Sequence, residues 1–229
     1  MKVWRAVQMA IIKEFWLIRH AESMGNAGKK TTSAQENPLS ELGQRQANKL
    51  ASMLEKRTKP NLVVYSSYVR TKETMYPFAG NQYSFPVEQW DFIHEFTYLS
   101  AAKYADTTEL DRLSAKEEYW AMLDPDYRDD PTAESYNDLM YRAERLIRNL
   151  LQVSQERIYV FSHGMFIKAV WLLIVNEGLN KQRPTMSEFH DFAYTVNFPN
   201  TGILRLSLRD GQFWINTLCP PDMGWPEKL

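Results

Sequence analysis

Several features are scarce in this sequence of 229 residues. A single cysteine, Cys219, excludes an internal disulfide, and with only four histidines it makes a structural zinc site improbable. The 27 lysines and arginines nearly balance 28 acidic residues, so the chain lacks the basic surface of a nucleic-acid binder. Its longest apolar stretch, Phe166 to Val175, is interrupted by Lys168 and is too short to span a bilayer. We therefore expect no metal, no nucleic-acid partner and no membrane span.

The expected location is the cytoplasm. The stretch Met1 to Ile12 is mildly apolar but lacks the apolar centre and small-residue cleavage site of a signal peptide. One cysteine also fits a reducing compartment. The length suits one domain spanning residues 1–229, with room for an insertion.

Short apolar runs alternate with amphipathic stretches along the chain. The runs predict buried strands, and the two C-terminal stretches predict closing strands: Glu14–Ile18, Leu62–Tyr65, Phe85–Trp90, Arg157–Phe161, Gly202–Leu208 and Gln212–Leu218. Between them the pattern predicts helices from Ser40 to about Arg57, from Thr71 to Met75 before Pro77, over residues 139–150, and from Met165 to Glu177. This alternation predicts an α/β fold with a mostly parallel sheet.

Residues 96–131 interrupt the alternation with charges, aromatics and two Asp-Pro breakers, and we interpret them as an insertion with its own short helices, lying over the main body. In parallel sheets, ligands bind beyond the carboxyl ends of the strands. The pairs Arg19-His20 and Ser162-His163 and the segment from Ser66 to Arg70 each follow a predicted strand, so all of them can meet at one edge.

These residue types point to phosphate chemistry. Imidazole titrates near neutrality and can act as nucleophile, proton carrier or cationic anchor. Guanidinium groups present planar forks of donors that match phosphate oxygens. One histidine or one arginine alone is usually structural, but His20, His163, Arg19 and Arg70 at one sheet edge favour a phosphate site.

Four ordered motifs carry a family resemblance: LIRHAESMGN from Leu17, NPLSELGQRQA from Asn37, YSSYVRTKET from Tyr65 and FSHGMFIK from Phe161. Together they resemble the histidine phosphatase superfamily, which includes the cofactor-dependent phosphoglycerate mutases. The resemblance implies a phosphoglycerate mutase-like three-layer sandwich with helices on both faces of the sheet. It also implies a metal-independent phosphatase that needs no cofactor.

Residue roles follow from the resemblance. His20 would be the nucleophile that becomes phosphohistidine. Arg19, Arg70 and His163 would hold the phosphoryl oxygens, Asn26 and Ser23 would add hydrogen bonds, and Gly164 would permit close backbone approach. Two departures from the family pattern, Ala21 in place of Gly and Tyr68-Val69 in place of Pro-Leu, remove no functional group.

The leaving alkoxide needs a proton donor, and Glu95 matches the position where the family supplies it. Glu22 and Glu134 are the alternatives: Glu22 is usually structural in the family, and Glu134 looks like a helix-start residue. We expect His94 to be a rim residue and His190 to take no part in catalysis.

Rival functions remain. A phosphoglycerate mutase is disfavoured because the Gly-Trp segment that follows the Asn of the signature in those enzymes is missing after Asn26. A catalytically silent protein that only binds phosphorylated ligands is disfavoured because neither the nucleophile nor a clamp arginine is lost. A serine hydrolase is disfavoured because Ser162 lies outside any Gly-x-Ser-x-Gly elbow. The expected substrate is a small phosphorylated metabolite, whose leaving group could touch insertion residues (Tyr98, Lys103, Tyr104, Tyr119 and Trp120). The oligomeric state is left open, and a homo-oligomer is compatible with the sequence.

Overall fold

The computed structural model describes residues 13–80, 84–176 and 182–217. The predictions for Met1–Ile12, for Cys219, and for the last residues of two predicted elements, Glu177 and Leu218, lie outside these ranges.

Helices and strands alternate along the described chain. Their order is β1 (Lys13–Arg19), α1 (Glu41–Glu55), β2 (Leu62–Tyr65), α2 (Val69–Ala79), β3 (Val87–Gln89), a short 3₁₀ turn (Asp91–Ile93), α3 (Ala101–Tyr104), α4 (Leu113–Ala121), α5 (Tyr136–Gln152), β4 (Arg157–Ser162), α6 (Gly164–Val175), α7 (Met186–Thr195), β5 (Ile203–Arg209) and β6 (Gln212–Thr217).

The strands form one six-stranded sheet in the order β3-β2-β4-β1-β5-β6. The first four strands in that order are parallel, whereas β5 runs antiparallel to β1 and β6 antiparallel to β5. The central strands read as continuous apolar runs because both of their faces are covered. The mostly parallel α/β fold predicted from the sequence is thus confirmed.

Residues of β1 point alternately to two cores, one on each face of the sheet. Phe15 and Leu17 pack on the side of α5 and α6, and Trp16 and Ile18 pack on the side of α1 and α2. All four side chains are buried. The result is the expected three-layer arrangement, and no helix in the described ranges is both long and apolar enough to cross a membrane.

Two helices differ from the sequence prediction. The second helix does not stop before Pro77 but continues to Ala79, because the buried Phe78 packs against Phe85 and Tyr159. Helix α7 was not predicted at all. It begins with a capping box in which Thr185 and Glu188 exchange side-chain and backbone hydrogen bonds. This Thr-x-x-Glu spacing is visible in the sequence and could have located the helix.

Residues 96–131 contain α3 and α4, and a bridge between Thr31 and Thr107 ties them to the loop after β1. Three candidate leaving-group contacts, Tyr98, Tyr119 and Trp120, are at least nine-tenths buried in an aromatic cluster. Packing accounts for these three side chains, so they are poor candidates for contact with a ligand.

Candidate active site

The carboxyl ends of three neighbouring strands meet at one edge of the sheet. Arg19 lies opposite Ser162 in the register of β1 and β4, and the His20 amide donates to the Ser162 carbonyl over 3.0 Å. The Ser66 amide donates in turn to the Phe161 carbonyl over 3.1 Å. The rings of His20 and His163 consequently lie 5.2 Å apart, centroid to centroid.

The hydrogen bonds of His20 fix its tautomer. Arg70 Nε, which can only donate, lies 3.0 Å from His20 Nε2, while the Ala21 carbonyl, which can only accept, lies 2.7 Å from Nδ1. The proton is therefore on Nδ1, and Nε2 is unprotonated, with its lone pair directed at Arg70 Nε. This is the state that a nucleophilic imidazole requires.

Burial and two cations keep His20 neutral. The ring is 2% exposed, and burial, Arg70 and Arg19, in that order, hold its pKa well below 6.5. His163 is fully buried, and burial is also the main reason why its pKa lies well below 6.5. The sequence interpretation of His163 as a cationic anchor therefore requires a bound anion to supply the charge that stabilises the imidazolium.

These two rings should make stability depend on pH. In the unfolded chain both histidines titrate near 6.5, so the unfolded state binds more protons as the pH falls below that value. The free energy of unfolding should then decrease with a slope of up to about 1.4 kcal/mol per pH unit for each ring. Urea titrations between pH 8 and 5 measure this slope. The His20→Asn variant should lose part of it, and an unchanged slope in that variant would contradict the assignment.

Ser66 and Tyr68 hold the second histidine. His163 Nε2 lies 2.9 Å from the Ser66 hydroxyl, and its Nδ1 is buried without a hydrogen-bond partner. The Tyr68 ring meets the His163 ring edge-on at 5.1 Å and lies under the Arg70 guanidinium at 5.0 Å. The departure from the family's Pro-Leu therefore places an aromatic ring between two site residues.

Ala21, the other departure, is compatible with the fold. Its methyl group is fully buried in a small cluster with Leu39 and Ala47. Its amide donates to Thr74 Oγ1 over 2.9 Å. A glycine is not required at this position.

Each clamp arginine is held by the protein backbone. Arg70 Nη1 donates to the Ala34 carbonyl over 2.6 Å, and Arg19 Nη1 donates to the Phe198 carbonyl. Arg19 Nε is buried without a partner, and a Cβ on Gly164 would approach it to 3.2 Å. Gly164 thus allows the guanidinium to lie against the first turn of α6.

Glu95 lies at the N-terminus of α6. Its Oε1 accepts from the Phe96 and Phe166 amides at 2.9 and 3.3 Å, whereas Oε2 has one long contact, 3.5 Å, with the Met165 amide. Nitrogen or oxygen atoms of Glu95, His20 and His163 all lie within 4.8 Å of one another. Glu95 therefore faces the same small space as both histidines.

The alternative carboxylates are occupied elsewhere. Glu134 forms a two-pronged ion pair with Arg142, with nitrogen–oxygen distances of 2.7 and 2.8 Å, and also accepts from Thr97. Glu22 Oε1 accepts from the Ser40 hydroxyl at 2.6 Å. Both carboxylates have structural partners that Glu95 lacks. His94 stacks on Tyr68 at 5.5 Å, beside the site, whereas His190 packs against Trp120.

The signature loop is stabilised mainly by its own side chains. Ser23 is buried, and its hydroxyl accepts from the Asn26 amide and from the Asn37 side chain at 3.2 and 3.3 Å. Asn26 is exposed, and its Oδ1 accepts from the Ser23 amide. The phosphate contacts expected for Ser23 and Asn26 remain predictions.

Two polar residues near the site were missed from the sequence. Asn200 donates through Nδ2 to the His20 carbonyl and to Asn26 Oδ1, at 3.0 and 3.1 Å. Lys168 on α6 is half-buried, and burial followed by Arg19 lowers its pKa to about 8. The interruption of an apolar helix by a lysine was a signal for Lys168, whereas Asn200 had none.

The cluster of Glu95, His20 and His163 has the donor types of a metal site. The charges around this cluster oppose the binding of a metal ion. Arg70 Nε already donates a hydrogen bond to His20 Nε2, and the positive charge of Arg19 lowers the pKa of the same ring. Two guanidinium charges favour an anion over a divalent cation here.

The family is shown by comparison with known proteins. Residues 15–219 match the model of the histidine phosphatase superfamily, branch 1. In sequence, the chain is 30% identical over 176 residues to 6-phosphofructo-2-kinase/fructose-2,6-bisphosphatase 3 of Bos taurus, a match covering 76% of this chain and 35% of that protein. The chain thus spans about a third of the length of this curated relative.

Solved structures share the fold at low identity. An alpha-ribazole phosphatase from Shigella flexneri has a TM-score of 0.69 at 18% identity, covering 90% of this chain and 96% of the other. A phosphoserine phosphatase variant from Entamoeba histolytica, in complex with phosphoserine, has a TM-score of 0.68 at 20% identity, covering 92% and 98%. A mycobacterial glucosyl-3-phosphoglycerate phosphatase in complex with VO3 has the same score and identity, covering 90% and 98%.

Proposed function

Because this chain belongs to the histidine phosphatase superfamily, branch 1, we propose that it hydrolyses phosphomonoesters of small organic molecules through a phosphohistidine on His20. The observation that carries the proposal is the unprotonated Nε2 of His20, whose lone pair accepts a hydrogen bond from the Arg70 guanidinium. Phosphoryl transfer depends mainly on positioning and on charge stabilisation at the equatorial oxygens, and these residues supply both.

In the first step, the Nε2 lone pair of His20 attacks phosphorus as the bond to the leaving oxygen breaks. Arg70, Arg19 and a protonated His163 bind the equatorial oxygens. Helices α2 and α6 begin at this edge of the sheet, and the positive ends of their dipoles also favour a bound anion. Glu95 Oε2, the less engaged oxygen of that carboxyl group, carries the proton that the leaving alkoxide receives.

In the second step, water gives a proton to the Glu95 carboxylate and attacks phosphorus. The phosphorus–nitrogen bond breaks, the lone pair returns to Nε2, and inorganic phosphate leaves. Each residue is then restored to its starting state.

No metal or cofactor takes part in the proposed reaction, since the two guanidinium groups provide the positive charge. Ser23, Asn26 and Gly164 are proposed to complete the phosphate site. Residues 96–131 are proposed to be an insertion over the site within a single domain. The proposed setting is the cytoplasm, with a small phosphorylated metabolite as substrate. Several relatives are named as phosphatases or bisphosphatases, which supports hydrolysis over isomerisation.

Release of inorganic phosphate from p-nitrophenyl and alkyl phosphates tests the proposal. We expect hydrolysis without added bisphosphoglycerate, full activity after dialysis against EDTA, and inhibition by vanadate, which mimics five-coordinate phosphorus. Isomerisation of 3-phosphoglycerate far faster than hydrolysis of any ester would instead establish a mutase. A stoichiometric requirement for Mg²⁺ or Zn²⁺ would contradict the metal-free mechanism.

A further inference from the structure

Among the residues that the structure describes, two arginines are buried to more than nine-tenths: Arg70, 5% exposed, and Arg112, 7% exposed. Within the described ranges, neither guanidinium forms an ion pair with a carboxylate. A buried charge without a counter-charge is costly. The proposed phosphate site accounts for Arg70, but the reaction as described leaves Arg112 without a role.

The hydrogen bonds and the ring contact of Arg112 orient its guanidinium through uncharged groups. Its Nη1 donates to the carbonyl and hydroxyl oxygens of Thr107, at 2.9 and 2.7 Å, and its Cζ lies 4.8 Å from the centre of the Tyr104 ring. Its Nε is buried without a hydrogen-bond partner. The nearby carboxylate of Glu109 bonds to Lys116 at 2.7 Å. Arg112 is therefore held in place with donor capacity left over.

Tyr104 connects Arg112 to the catalytic cluster. Burial raises the pKa of Tyr104, and the charges of Arg112, Glu95 and Arg70 all act on its hydroxyl group. Tyr104 is thus in contact with Arg112 and close enough to Glu95 and Arg70 to feel their charges.

The loop after β1 provides a second connection. Thr31 exchanges backbone hydrogen bonds with the segment at Thr107, and its hydroxyl donates to the Tyr104 carbonyl at 3.3 Å. Three residues further on, the Ala34 carbonyl accepts from Arg70. One short loop therefore contacts Arg70 directly and also contacts Thr107, the residue that holds Arg112.

From these contacts we propose that Arg112 binds a second anionic group, a carboxylate or a phosphate, on the leaving group of the substrate. The inference rests on the proposed function and narrows it to esters whose alcohol part is itself charged. A guanidinium is suited to either group because its fork of donors matches the paired oxygens of both.

Matched substrate pairs test this subsite. 3-Phosphoglycerate and glycerol 1-phosphate differ by a carboxylate against a hydroxymethyl group. Propane-1,3-diol bisphosphate and its monophosphate test a second phosphate. The wild-type protein should prefer at least one anionic member by kcat/KM, and Arg112→Gln should reduce that preference about 10- to 100-fold, the usual scale for a lost charged hydrogen bond. Arg112→Lys should keep part of it.

Turnover of p-nitrophenyl phosphate, which has no second anionic group, distinguishes a loss of substrate preference from a general loss of activity. The rate with this substrate should change little in Arg112→Gln. The control is Arg205→Gln, which removes an arginine that stacks on Trp16 and lies 3.9 Å from Glu14, and it should leave the substrate preference intact.

If Arg112→Gln slows all substrates equally, Arg112 supports the fold and the subsite is wrong. If the wild-type protein hydrolyses p-nitrophenyl phosphate but prefers neither anionic ester, the subsite is also wrong while the phosphatase proposal stands. Absence of any phosphate release would overturn the proposed function itself. The pair that shows the preference identifies the anion as carboxylate or phosphate.

Discussion

Replacing His20 with alanine should lower phosphate release by roughly 10⁴-fold or more, the scale seen when a covalent nucleophile is lost. The ring supplies the attacking lone pair on Nε2, and neither arginine can replace it because guanidinium carries no available lone pair. Hydrolysis of p-nitrophenyl phosphate, followed under single-turnover conditions, measures the chemical step.

The fold should survive this change. Removal of a buried ring leaves Arg70 Nε without its His20 partner, so circular dichroism and thermal unfolding must accompany the kinetics. His190→Ala is the matched control, because His190 packs against Trp120 and Tyr194 outside the catalytic cluster. A folded His20→Ala protein with more than about a tenth of wild-type activity would rule out the covalent mechanism.

The Glu95→Gln variant should hydrolyse alkyl phosphates at least about 100-fold more slowly, the range expected for general acid catalysis. With p-nitrophenyl phosphate the loss should be much smaller, since p-nitrophenolate departs without a proton. The amide keeps one oxygen to accept from the Phe96 and Phe166 amides, so the contacts with α6 can persist. The ratio of the two losses is the decisive quantity.

Glu22→Gln provides the comparison, because it makes the same chemical change at a carboxylate bound to Ser40. It should affect both substrates alike. Equal losses for both substrates in Glu95→Gln would assign Glu95 a positioning role. In that case Glu134, despite its ion pair with Arg142, would be the next carboxylate to test.

Much of the site was predictable because parallel strands end at a common edge. The apolar runs before His20 and His163 located two strands of the predicted parallel sheet, and the motifs identified the residues that follow them. The pairing of β1 with β4, in which Ile18 lies opposite Phe161, then brings the two histidines together. Local sequence pattern was therefore sufficient to locate the strand ends, whereas the pairing of these two strands is seen only in the structure.

Contacts that join distant segments were not predictable. Asn200 reaches the His20 carbonyl across 180 positions, and Ser66 reaches His163 across 97. Neither pair has a local periodicity or motif. The burial of Arg112 is likewise a tertiary property, since its flanking sequence reads as part of a charged, irregular segment.

The most direct test is to trap the phosphoryl group during turnover. Wild-type protein mixed with ³²P-labelled substrate and quenched in alkali should carry acid-labile, alkali-stable label. Peptide mapping should place that label on His20 as the Nε2-linked isomer, 3-phosphohistidine, because Nδ1 donates to the Ala21 carbonyl. Labelled protein should be absent from His20→Ala. Label on His163, label on Nδ1 of His20, or rapid turnover with no covalent label under any quench would contradict the mechanism.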